Sequence, residues 1–138
     1  MAEYELLEHT ADTGFRVRGM TLEELFRHAA EALVAIAMDA SRIEPRERRS
    51  VGAMGENIEE RLVNWLNEVL WLLDGQHWAP GRFDELRLEG ASVSAIAGGE
   101  PRDDVRHPPR IVVKAVTFHQ LAVMQREDGW EASVFLDI

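Results

Sequence analysis

The sequence predicts an α+β fold, two helices packed on a mainly antiparallel β-sheet, in a single compact domain over residues 1–138. Three observations point there. Two segments carry apolar residues at helical spacing behind recognisable capping residues. Most of the remainder alternates apolar and polar side chains in short runs, the period of a half-buried strand. And 138 residues supply one sizeable core but not two.

Taken in chain order, Tyr4 to His9 and Gly14 to Gly19 read as two short strands. In the second, Phe15 and Val17 share one face and Arg16 and Arg18 the other. Between them His9-Thr10-Ala11-Asp12-Thr13-Gly14 is a polar turn of small residues. Thr21 caps the first helix and Glu24 completes a capping box, with Met20 and Leu25 placed for a hydrophobic staple. Its stripe is Leu22, Leu25, Phe26, Ala29, Ala30, Leu33, Val34 and Ala37. Asp39 to Pro45 reads as a loop and Arg49 to Met54 as a strand. The second helix starts after Asn57, with Glu60 at its third position. Its stripe runs from Ile58 through Leu62, Trp65, Leu66, Val69 and Leu70 to Leu73, and Asp74-Gly75 stops it. Strand character follows at Phe83 to Leu88, Ser92 to Ala97, Ile111 to Phe118, His119 to Gln125 and Trp130 to Ile138. Glu127-Asp128-Gly129 is a hairpin turn. Gly98 to Pro109, with three prolines and several charges, reads as an exposed loop.

Composition narrows function. There is no cysteine, hence no disulfide framework, thiolate metal site or cysteine nucleophile. No apolar run approaches the roughly 20 residues that span a bilayer, and Met1-Ala2-Glu3-Tyr4-Glu5 lacks the features of a secretory signal. A cytoplasmic protein with no membrane partner is therefore expected. Fifteen Lys and Arg against twenty-five Asp and Glu leave a net charge of −10. That charge repels phosphate backbones, so no direct nucleic-acid binding is expected. Arg42, Arg46, Arg48 and Arg49 cluster, but Glu44 and Glu47 interrupt them, and the segment reads as a solvated turn and strand. A basic protein partner suits the overall charge better. Nucleotide-binding loops, the nucleophile elbow and the H-E-x-x-H zinc motif are all missing from the sequence.

Three residues stand out on physical grounds. Lys114 lies in Ile111-Val112-Val113-Lys114-Ala115-Val116-Thr117-Phe118, a run apolar on both faces and so expected as a central strand. An ammonium there either snorkels to an edge or finds an acidic partner. Asp137 falls on the more polar face of the terminal strand beside the main-chain oxygens of Ile138. Oxygen ligands grouped this way suit a hard divalent cation if another carboxylate approaches, but spacing alone favours a solvated aspartate. Trp71 points away from the second helix's stripe, beside Asn64, Asn67 and Glu68. Either a further layer covers it or it is an exposed aromatic available to a partner, and the second reading is preferred.

Glu8-His9-Thr10-Ala11-Asp12 resembles the H-T-A-D signature of the archease family. Leu62-Val63-Asn64-Trp65-Leu66-Asn67-Glu68 is similar to that family's second-helix pattern. Gly99-Glu100 with His107, the block Val113 to His119, and the ending Gly129-Trp130-Glu131-Ala132 through Leu136-Asp137-Ile138 follow in the family's order. Phe118 and Trp71 stand where the family usually has tyrosine. The resemblance implies a cofactor protein, not itself an enzyme, that activates an RtcB-type GTP-dependent RNA ligase in tRNA splicing or RNA repair. It would promote GMP transfer to the ligase and multiple turnover. The resemblance further implies a site for calcium or another divalent cation on Asp12, Asp137 and the Ile138 carbonyl. It links Lys114 to function, and sets His9 and His119 in the same motifs without a defined role. With Asp12 as its partner, Asp137 is then expected to be a ligand, and Lys114 to lie near both carboxylates. Two other readings stay open: a small hydrolase using His9 or His119 with an acidic partner, and a broader chaperone for RNA-modifying enzymes such as tRNA methyltransferases.

Overall fold

Thr21 and Asn57 set where the two helices begin. In the computed structural model, which describes residues 4–8 and 13–138 and only the backbone of Leu7 and Glu8, both residues are extended N-caps. Thr21 Oγ1 accepts the Glu24 N–H at 3.1 Å and Asn57 Oδ1 accepts the Glu60 N–H at 2.8 Å. Glu24 and Glu60 then accept the N–H groups of Met20 and Glu56, one residue before each cap. Met20 is 75% exposed, so Leu25 is buried by the core and not by a staple. Asn57→Ala removes the acceptor at the start of the second helix and is expected to lower stability by about 1 kcal/mol. A fall in the urea midpoint at constant m-value is the readout; an unchanged midpoint would show that the first turn holds without its cap.

Helix α1, Leu22–Ala37, buries residues on more than one side, including Ala32 and Ile36 outside the expected stripe. The reason is architectural: α1 packs against strands of two different sheets. The expected single sheet is divided. One sheet has the order β1 (Tyr4–Glu8), β2 (Thr13–Gly19), β7 (Gly129–Asp137), β6 (Ala115–Arg126). The other has the order β3 (Glu47–Met54), β5 (Ser92–Pro101), β4 (Trp78–Glu89). Every pairing in both is antiparallel. α1 touches β2 and β4, while α2, Ile58–Leu70, touches β3 and β6, so the helices fill the space between the sheets. Trp65 occupies the centre, fully buried, its indole N–H donating to Phe26 O at 3.0 Å and its ring edge-on to Phe83. A buried indole needs that acceptor, because an unmet N–H in the core is costly.

Three further sequence expectations are corrected. Lys114 is not in a central strand. β6 begins at Ala115, lies at the edge of its sheet, and Lys114 precedes it on the surface. The apolar run before it is a lead-in: Arg110 and Ile111 donate main-chain N–H groups to Ala37 and Ile36 at the end of α1, and Val113 is buried while Val112 is exposed. Periodicity alone cannot separate such a segment from a strand buried on both faces. Next, Ala115–Arg126 is one strand and not two. Its pairing with β7 breaks between Thr117 and Ala122, and Gln120 there has φ 51°. Finally, Gly98 to Pro109 is not all exposed loop. Gly98 to Pro101 complete β5, and Glu100 and His107 are buried. The hairpin turn at Glu127-Asp128 is as expected, joining β6 to β7.

Candidate functional site at the end of the four-stranded sheet

β7 sorts its side chains by alternation. Ala132, Val134 and Leu136 join the core between the sheets, while Glu131, Ser133, Phe135 and Asp137 take the opposite face. Asp137 and Ile138 are exposed. The Asp137 main-chain oxygen accepts the Lys114 N–H at 2.7 Å, so the lysine and the aspartate are tied through backbone at the point where β6 begins. Lys114 is exposed and forms no ion pair among the described residues. The sequence expectation of a burial problem relieved by carboxylates is therefore withdrawn: an ammonium in water has no such cost.

His9 and Asp12 lie outside the described residues. Their neighbours are placed: Glu8 pairs with Thr13, and Thr13 pairs with Leu136. Among the described residues no three His, Asp or Glu side chains converge into a metal-holding group.

His119 sits in the irregular stretch of β6, where a bulge turns side chains away from strict alternation. Its ring meets Phe135 edge to face, with centroids 6.3 Å apart. Its N–H donates to Thr117 Oγ1, and that hydroxyl donates to Phe135 O. Phe135 is 3% exposed although it lies off the core face, and a Cβ on Gly14 would stand 2.8 Å from its ring. Only a glycine lets the ring lie against β2 there. The sequence reading did not single out Phe135; the available signal was a large aromatic on the polar face of an amphipathic strand.

Trp71 closes α2 in the way its wheel position implies, 55% exposed. The helix widens after Leu70 into a π turn, Trp71–Gly75, and the indole lies directly over Gly75, where any Cβ would collide with it. Arg102 secures the turn from β5's end, donating to Leu73 O at 3.2 Å and pairing with Asp74 at 3.4 Å. A cation at a helix C-terminus also complements the helix dipole. Trp71 and Lys114, far apart in sequence, line one shallow groove of about 350 Å³ together with Asn67, Leu70, Asp74 and Gly75.

A second polar cluster holds the segment that leads to Lys114. The buried Glu100 carboxylate accepts the Glu44 N–H at 3.0 Å, Arg106 Nη2 at 3.1 Å and His107 Nε2 at 2.9 Å. His107 Nδ1 accepts the Asp103 N–H, which leaves the ring proton on Nε2 to donate to Glu100. The Glu44 N–H, followed by His107 and Arg106, outweighs burial and pulls the Glu100 pKa down to about 2. Arg46 approaches the other carboxylate oxygen at 3.5 Å. Of the other basic residues noted in the sequence, Arg48 pairs with Glu85, Arg49 lies over the Trp78 ring at 4.7 Å, and Arg42 is exposed.

Among the described residues no helix is long and apolar enough to cross a membrane. Residues 4–138 match the model of the Archease protein family. Protein archease of Methanopyrus kandleri is 40% identical over 139 residues, covering 98% of this chain and 99% of that one. Protein archease of Methanosarcina acetivorans is 37% identical over 140 residues, covering 99% and 96%. The solution structure of Methanobacterium thermoautotrophicum protein 1598 superimposes with a TM-score of 0.82 at 31% identity, over 98% of each chain. The Thermotoga maritima crystal structure, described as an archease and possible chaperone, has a TM-score of 0.66 at 23% identity, covers 97% of this chain and 96% of that one, and speaks for the fold alone. A family match along nearly the whole chain, close relatives of equal length and a shared architecture agree: this chain belongs to the Archease protein family.

Proposed function

We propose that this chain is a non-catalytic, cytoplasmic activator of a GTP-dependent RNA ligase of the RtcB type, acting in tRNA splicing or RNA repair. In this reading it holds a divalent cation of calcium type on Asp12, Asp137 and an Ile138 main-chain oxygen, and promotes GMP transfer to the ligase. The observation that supports it is the β2–β7 register. Thr13 pairs with Leu136 in antiparallel strands, and in sequence Asp12 precedes Thr13 while Asp137 follows Leu136. The donors suit the ion: Asp137 offers an exposed carboxylate, next in the chain to the main-chain oxygen of Ile138. Carboxylate and carbonyl oxygens are the ligands that calcium-sized cations take. A bound cation would offset the charge of the two aspartates and hold the end of β7 against the start of β2.

Titration calorimetry checks the cation. Asp137→Asn halves the carboxylate charge of the pair, and calcium affinity is expected to fall at least about tenfold, or about 1.4 kcal/mol. Asp12→Ala is expected to do the same. Equal affinity in wild type and both variants would remove the metal from the proposal. For the ligase, the test is the rate of GMP transfer to a purified RtcB-type enzyme with and without this chain.

Membership of the family leaves a second reading, a broader chaperone for RNA-modifying enzymes such as tRNA methyltransferases. Affinity capture separates the two, since a dedicated activator retains the ligase and a general chaperone retains several modification enzymes.

A further inference from the structure

We propose that Asn67 is a positioning residue for Lys114, in the groove that both share with Trp71. The proposal rests on the functional reading of Lys114 above. Asn67 Nδ2 donates to Val116 O at 3.1 Å, and the Val116 N–H donates to Asn67 Oδ1 at 3.0 Å. One side-chain amide thereby takes both main-chain groups of a residue in the edge strand, the pattern that a neighbouring strand would supply. Val116 faces Leu136 in register, and two residues earlier the Lys114 N–H reaches Asp137 O. The start of β6 is thus held on one side by β7 and on the other by Asn67. Trp71 follows one turn on, its N–H shared between the main-chain oxygens of Asn67 and Glu68. The Asn67 side chain therefore fixes the lead-in to the lysine through Val116.

The residue type supports this. Asparagine is a poor helix former, because its side chain competes for backbone groups, and alanine at the same position is a better one. Aspartate would keep the acceptor for the Val116 N–H but lose the donor to Val116 O. Leucine would lose both, and glutamine would overshoot by one methylene. Only an amide on this length of side chain satisfies both groups of Val116 at once. Pinning an exposed edge in this way also denies it to another strand.

The test is a double-mutant cycle between Asn67→Ala and Lys114→Met, read in the ligase GMP-transfer assay, with amide exchange at Val116 and Lys114 measured alongside. Asn67→Ala is expected to lower exchange protection at Val116 by at least about tenfold and to reduce stimulation. The double variant is expected to match Lys114→Met alone, because a residue that acts through the lysine has nothing further to lose. Additive effects, or full stimulation by Asn67→Ala, would overturn the proposal. If Asn67→Ala does not fold, Asn67→Asp takes its place in the cycle under the same two criteria. Undiminished stimulation by Lys114→Met alone would defeat the reading of the lysine and the proposal with it. The Val116 amide would then still report whether Asn67 pins the strand, so the two failures are told apart.

Discussion

Glu100→Ala is expected to destabilise the protein by about 1–3 kcal/mol, the cost of leaving buried hydrogen-bond donors without their acceptor. Arg106, His107 and the Glu44 N–H all lose the same acceptor, and Arg106 is already short of a partner at its Nε. The cluster joins the 39–46 loop, the end of β5 and the 102–114 segment, so the damage is expected to spread to the lead-in of β6. Denaturant midpoints measure the loss, and a change within about 0.5 kcal/mol, typical of an ordinary surface site, would refute the account of the cluster. The acid limb gives a second readout. The folded pKa of Glu100 is depressed from an ordinary 4.5 to about 2. Its contribution is therefore complete above the unfolded value and is lost as pH falls from 4.5 toward 2. Glu100→Gln, which has no such titration, is expected to lose less stability than wild type across that window.

Lys114→Met is expected to leave the fold intact and to reduce ligase stimulation at least about tenfold, about 1.4 kcal/mol of lost interaction. The two halves of this expectation have separate grounds. Lys114 is exposed and makes no ion pair among the described residues, so methionine in its place disturbs no internal contact. Its backbone bond to Asp137 O survives any side-chain change. The functional half rests on its place in the groove beside Trp71 and on its standing in the family motif. Lys114→Arg sharpens the result, since a planar guanidinium replaces a compact ammonium poorly where a partner closes over it. Melting temperatures of both variants beside their stimulation of GMP transfer are the measurements, and a folded Lys114→Met protein that stimulates like wild type would return Lys114 to a solvated surface residue.

The helices were legible because their signals are local. Thr21 and Asn57 cap as their neighbours require, and the stripes of both helices are buried apart from the half-buried Leu22 and Ile58 that open them. Trp71 was legible for the same reason: an angle on a wheel needs no knowledge of the rest of the fold. The division of the strands into two sheets was not, because strand order is decided by pairings such as β2 with β7, far apart along the chain. Lys114 was misplaced because apolar neighbours on both sides mark burial of the segment without saying what buries it, here the end of α1. The burial of Glu100 and His107 was hidden by composition. Prolines and charges around them look like a solvated loop, and their mutual hydrogen bond becomes visible only once β5 delivers Glu100 to the interior. Asn67 was seen as a polar neighbour of Trp71 and as part of the second-helix block, but its role was not, since its partner Val116 lies 49 residues on.

The proposed function is tested most directly by GMP transfer to a purified RtcB-type ligase at substoichiometric amounts of this chain, followed through many turnovers. The expected result is that the ligase alone stalls after its first cycles, that wild-type protein restores repeated transfer, and that Lys114→Met and Asp137→Asn proteins of native stability do not. Equal turnover with and without the wild-type chain, in the presence of calcium, would contradict the account.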